Sequence, residues 1–167
     1  MCSSDLHQEQ VEEVLAQLFD AIAALRSLGV VHFDAHFANV VTDGEQCRLT
    51  DFGLAMAADF ELGARERRFL ETHRYYDYGV VLASLGIMLG RALGGGMSVA
   101  SLGRTIDELD QAPLGCHPEL VHALQRYRAP VLYMLSFFKR MQSPRKRSTY
   151  DDEVMGDLLR AAGVPLP

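Results

Sequence analysis

Apolar positions along the chain keep two rhythms, and the change between them marks its organisation. Val11, Val14, Leu15, Leu18, Ile22 and Leu25 recur at three- and four-residue spacing, which places them on one face of a helix over residues 5–28. Ser4 or Asp5 can cap its start, and Gly29 supplies the stop. The helical rhythm then ends. Val30-Val31-His32 is short and β-prone. Asn39-Val40-Val41-Thr42, Asp43-Gly44 and Gln46-Cys47-Arg48-Leu49 read as a hairpin about a D-G turn. Residues 54–76 are mixed, with a charged helix over Ala64 to Thr72. Residues 77–93 are apolar at almost every position and predict a buried helix, broken by Gly94-Gly95-Gly96. Further helices are expected near 98–110, 118–127 and 130–141, with Pro113, Pro118 and Pro130 as punctuation, and a last one over 151–162. The pattern predicts one mainly α domain over residues 1–167, a helical bundle with a small hairpin near its centre.

Composition narrows the class. Of 167 residues, 49% are apolar and 23% charged, ordinary values for a globular protein. The formal net charge of −6 argues against nucleic acid as the main partner. Cys2, Cys47 and Cys116 are scattered with no C-x-x-C pair, which points to a reducing compartment and no structural zinc. The start, MCSSDLHQEQ, is polar and acidic and does not read as a signal peptide. The longest apolar run, Tyr78 to Gly90, is 13 residues, short of the ~20 that a membrane helix needs. The expectation is a cytoplasmic protein with neither nucleic-acid nor membrane partners.

One stretch carries the chemistry. Residues 32–53, HFDAHFANVVTDGEQCRLTDFG, gather His32, Asp34, His36, Asn39 and Asp51. His32, Asp34 and His36 alternate, so on a strand they would share one face as zinc or iron ligands. Ala35, Phe37 and Ala38 do not continue such a strand, and no further histidine lies nearby to complete the shell. Phosphoryl transfer explains more of the residues. It needs a carboxylate to orient a hydroxyl and oxygen ligands to hold Mg²⁺ on the phosphates. Asp34 and Asn39 lie five residues apart on one irregular loop, and Asp51 follows twelve later, after a hairpin that folds it back.

In order and spacing, His32-Phe33-Asp34-Ala35-His36-Phe37-Ala38-Asn39 and then Asp51-Phe52-Gly53 resemble the protein kinase superfamily, whose catalytic loop runs H-R-D-L-x-x-x-N before D-F-G. The resemblance implies a protein-kinase-like C-lobe in which the hairpin carries the catalytic and D-F-G loops. It implies Asp34 as catalytic base, Asn39 and Asp51 as Mg²⁺ ligands, and ATP as phosphate donor. His32 would be architectural, packed beneath the D-F-G turn. The long first helix matches the one that leads into the family's catalytic loop. Tyr76 to Gly86 is similar to the family's buried central helix, where an aspartate near the start accepts catalytic-loop amides. Asp77 is the candidate for that role, with a plain helix N-cap as the alternative. Ser143-Pro144-Arg145-Lys146-Arg147-Ser148-Thr149 resembles the turn before the last kinase helix, with Arg147 in a structural ion pair.

The departures matter as much. No G-x-G-x-x-G occurs, and the only lysines are Lys139 and Lys146. The strand lysine, its glutamate partner and the adenine hinge therefore have no counterpart. The expectation is a C-lobe with the N-lobe absent, a partial kinase domain inactive or nearly so alone, with most nucleotide affinity lost along with the phosphate clamp and adenine pocket, and with a missing or separate N-lobe as a candidate partner. Phe33 replaces the arginine that pairs with a phosphorylated activation loop, and residues 54–71 hold no Ser, Thr or Tyr, so the parent enzyme is read as not switched by phosphorylation there. His36 stands where protein kinases carry lysine and where aminoglycoside- and choline-type kinases often carry histidine. No A-P-E motif is present. The acceptor is accordingly a hydroxyl, of a protein Ser/Thr in the leading reading and of a small molecule in the alternative. A pseudokinase-type binding module is the non-enzymatic reading.

Overall fold

The structure, a computed structural model, describes residues 8–92, 98–108, 118–142 and 149–167. The expected cap at Ser4 or Asp5, the glycine triplet 94–96, Pro113 and Arg147 lie outside the described residues. Among those described, seven α-helices and four short strands alternate in the order α1 (Gln8–Ser27), β1 (Val30–Val31), β2 (Val40–Thr42), β3 (Cys47–Leu49), β4 (Met56–Ala57), α2 (Ala64–Glu71), α3 (Tyr76–Ala92), α4 (Val99–Asp107), α5 (Pro118–Arg126), α6 (Arg128–Met141) and α7 (Asp152–Ala161). The fold is mainly α with small antiparallel β pairs. None of the described helices is long and apolar enough to cross a membrane.

Helix α3 is the axis. Its residues 77–86 and Leu89 are buried, and it packs against α1, α5, α6 and α7. Such enclosure demands close approach, which its glycines permit. A Cβ on Gly79 would stand 2.8 Å from Met155 Cε, and one on Gly86 would stand 2.7 Å from Leu135 Cδ1. Helix α1 lies on the same core through Leu15, Leu18 and Ile22, each at most 1% exposed and each contributing about 2 kcal/mol by burial. Phe19 joins them, its ring 5.5 Å from that of Tyr78.

The chain leaves α1 at Gly29, whose φ of +72° is left-handed and whose Cβ, if present, would meet Ala58 Cβ at 2.9 Å. That contact belongs to a β pair the hydrophobic pattern does not reveal: Val30 faces Ala57 and Val31 faces Met56. Two-residue strands 26 positions apart carry no readable period. The expected hairpin pairs Val40 with Leu49 and Thr42 with Cys47. Its turn spans four residues, since Asp43 Oδ1 accepts the amides of Glu45 and Gln46 at 3.1 and 2.8 Å. Those two amides, Gln46 foremost, together with Arg48 hold the Asp43 carboxyl well below the usual carboxylate range.

Beyond the hairpin, α2 is pinned by rings. Phe69 stacks on Phe33 with centroids 5.3 Å apart, and His73 stacks on Tyr150 at 4.9 Å. His73 Nδ1 donates to the Phe69 carbonyl at 2.7 Å. Burial pushes the His73 pKa below its ordinary 6.5, outweighing the Phe69 carbonyl and Asp152, which raise it. The unfolded chain therefore binds this proton more readily than the folded one. The stability carried by neutral His73 is complete above pH 6.5 and is lost as pH falls through the lowered folded value. Between about pH 7 and about pH 5, urea midpoints should drop more steeply for the unaltered chain than for His73→Gln. Parallel curves would contradict the assignment.

Candidate functional site

Site geometry begins where β1 ends. The next two amides turn inward onto Asp77 at the start of α3: His32 N–H donates to Oδ2 at 2.7 Å and Phe33 N–H to Oδ1 at 2.8 Å. Asp77 is 1% exposed. Burial pushes its carboxyl pKa up, against the His32 and Phe33 amides, the His32 ring and Arg26, which hold it down. Phe33 adopts a φ of +64°, a conformation that costs a non-glycine residue about 1–2 kcal/mol. The doubled amide contact offsets that strain and turns the following residues away from the strand direction.

The buried His32 ring joins two loops. Its Nδ1 faces the Asp34 amide at 3.3 Å and can only accept there, so Nε2 carries the hydrogen and donates to the Thr50 carbonyl at 3.0 Å. Asn39 ends a short 3₁₀ turn (Phe37–Asn39). Its Nδ2 donates to the Asp34 carbonyl and to Asp34 Oδ2, both at 2.9 Å. Because two acceptors face that nitrogen, Oδ1 is the atom left as a ligand. Asn39's own carbonyl accepts from the Thr50 amide at 2.8 Å and from Thr50 Oγ1 at 3.0 Å. Thr50 is thus bonded to both ends of the first loop, and Asp51 is the next residue.

Asp51 is exposed and left-handed, with φ 59° and ψ 69°, and its Oδ1 accepts the Gly53 amide at 3.3 Å. Phe52 turns back so that its ring lies 4.6 Å from His32. The structure therefore brings Asp34 and Asn39 into direct contact and joins Asp51 to them through Thr50. Asn39 Oδ1 and the free Asp51 oxygen are hard neutral and anionic donors, the kind that suits Mg²⁺ and poorly suits a soft metal. His32 and His36 do not share a face: His32 is engaged at both nitrogens, while His36 Nε2 lies 3.3 Å from Asp34 Oδ1. Among the described residues, no three His, Cys, Asp or Glu side chains are gathered as a zinc or iron site would need.

Two contributors escape a reading of the sequence. Thr50 is the joint of the network, and only its place just before D-F-G sets it apart. Ser84 lies one turn above Val80 on α3; its Oγ accepts the Phe37 amide at 3.3 Å and donates to the Val80 carbonyl at 3.2 Å. Phe33 and Tyr76 stand between two clefts. One, of about 510 Å³, runs from Asp34 and His36 along α3 to Arg91. The other, of about 860 Å³, is lined by Phe69, His73, Phe137 and Tyr150.

No protein-family model matches the chain. The chain is similar to the serine/threonine-protein kinase pakE of Dictyostelium discoideum, with 31% identity over 64 residues. The match takes in 38% of this chain and 7% of that protein, so it spans a small part of the relative's length. The similarity is kinase-related and local.

Removing the Asp77 carboxylate leaves one buried and one part-buried amide without acceptors. Asp77→Ala should lower stability by about 3 kcal/mol and accelerate hydrogen exchange at the His32 and Phe33 amides before the rest of the core opens. Unchanged protection at those two amides would contradict the role given to Asp77.

Proposed function

We propose that the chain is the base-bearing and magnesium-binding part of a protein-kinase-like phosphotransferase, which moves the γ-phosphate of ATP to a hydroxyl, that of a protein Ser or Thr. The observation that carries the reading is the closed set of bonds linking His32, Asp34, Asn39 and Thr50, with Asp51 next in the chain. Asp34 has the chemistry of the base: its Oδ2 is held by Asn39, and Oδ1 lies on the rim of a cleft beside His36. In this reading Asp34 takes the acceptor's hydroxyl proton as that oxygen attacks the γ-phosphorus and ADP leaves. Asn39 Oδ1 and Asp51 would hold Mg²⁺, which when bound neutralises charge on the phosphate oxygens.

The groups that clamp the α- and β-phosphates have no counterpart in these 167 residues, since the lysines are Lys139 and Lys146 alone. The reading assigns that clamp to a separate stretch or chain. A small-molecule acceptor is the second reading, and one observation favours it: His36, the histidine of the D-x-H-x-x-N pattern, touches Asp34.

The test is transfer from Mg²⁺–ATP to serine and threonine peptides with the clamp supplied. Asp34→Asn should cut turnover by at least ~100-fold with an unchanged thermal transition. Equal turnover would remove Asp34 as base. Absence of transfer by the unaltered protein would leave the chain as a binding module of the pseudokinase type.

A further inference from the structure

The smaller of these two clefts carries information about the acceptor. Along α3, Tyr76, Val80, Ser84, Ile87 and Arg91 face it at three- and four-residue spacing, forming one stripe. Asp34 is one of its lining residues, on a loop held to α3 by the Phe33 amide on Asp77 and the Phe37 amide on Ser84. Val80, Ile87, Met88 and Phe138 make an apolar floor. Arg91 closes the far end, and among the described residues it makes no hydrogen bond or ion pair. An exposed cation at the end of an apolar groove, in a chain of net charge −6, complements an anionic group on whatever lies in the groove. Asp34 lies between Phe33, bonded to Asp77, and Phe37, bonded to Ser84. Arg91 is fourteen residues beyond Asp77 and seven beyond Ser84, roughly 10–20 Å along a helix, which an extended peptide covers in about three to six residues.

We propose that this cleft seats the acceptor, and that the acceptor is a peptide segment with a Ser or Thr at Asp34, an apolar side chain on the Ile87 floor and an Asp or Glu about three to six residues away at Arg91. The inference rests on the phosphotransferase reading for the identity of the hydroxyl end, but binding can be measured without nucleotide. Fluorescent peptides carrying serine, leucine and glutamate, with glutamate about three to six residues from serine and in both chain directions, are titrated with the 167-residue chain beside their Glu→Gln and Glu→Lys versions.

The glutamate peptide of one direction should bind about five-fold more tightly than its glutamine version, the upper range for an exposed ion pair. Arg91→Ala should remove that difference, and Arg91→Glu should transfer the preference to the lysine peptide. Ile87→Ser should weaken all versions together. Equal binding of glutamate and glutamine peptides, or a preference that survives Arg91→Ala, would overturn the inference. Transfer to peptides without acidic preference sinks this inference alone; acidic preference without transfer sinks the phosphotransferase reading alone.

Discussion

Two backbone amides end on one buried carboxylate, and the site depends on that contact. Asp77 takes the His32 and Phe33 N–H groups at 2.7 and 2.8 Å from within the most enclosed helix of the fold. Hydrogen bonds to a charged acceptor contribute about 1.5–3 kcal/mol each, enough to outweigh the left-handed strain at Phe33. Burial works against the charge, as the raised Asp77 pKa records. The balance ties the start of the loop that carries Asp34 to the buried centre of the molecule rather than to its surface.

From that anchor the arrangement spreads outward by short steps. The turn at Phe33 places the His32 ring under Thr50, and Thr50 in turn holds the Asn39 carbonyl. Asn39 grips the Asp34 carboxylate. A second left-handed residue, Asp51, then carries the D-F-G turn, with Phe52 leaning on His32. The side chains of this site thus rest on buried and part-buried bonds, which is how a loop gains the rigidity that positioning requires. On the opposite side, Phe33 projects into a ring cluster with Phe69 and His73, so the segment after D-F-G is held by stacking. Neutral contacts of this kind need no phosphate to form.

Much of the helical frame was legible because burial enforces a period. The apolar face of α1, the unbroken run of α3 and the β2–β3 hairpin all follow from spacing and turn residues. What the sequence hid has physical reasons. The β1–β4 pair is two residues long and joins distant positions, so no local pattern announces it. The helix α6 starts at Arg128, ahead of Pro130, because proline is tolerated in a first helical turn. The alternation of His32, Asp34 and His36 suggested one face of a strand, but the backbone leaves the strand after Val31. Asp34, Asn39 and Asp51 stood out by type and spacing. Thr50 did not, since its part is played by a carbonyl, an amide and a hydroxyl that any β-prone threonine carries.

In the proposed reading, Asn39 and Asp51, on separate loops, share one divalent ion beside Asp34. Manganese in place of magnesium makes the claim visible by NMR, because resonances near the bound ion broaden. With Mn²⁺ added to the 167-residue chain, the Asn39 side-chain amide and the Gly53 backbone amide should broaden together, and Asp51→Ala should restore both while the Val164 amide stays sharp throughout. Broadening at only one of the two loops, or at neither, would contradict the account.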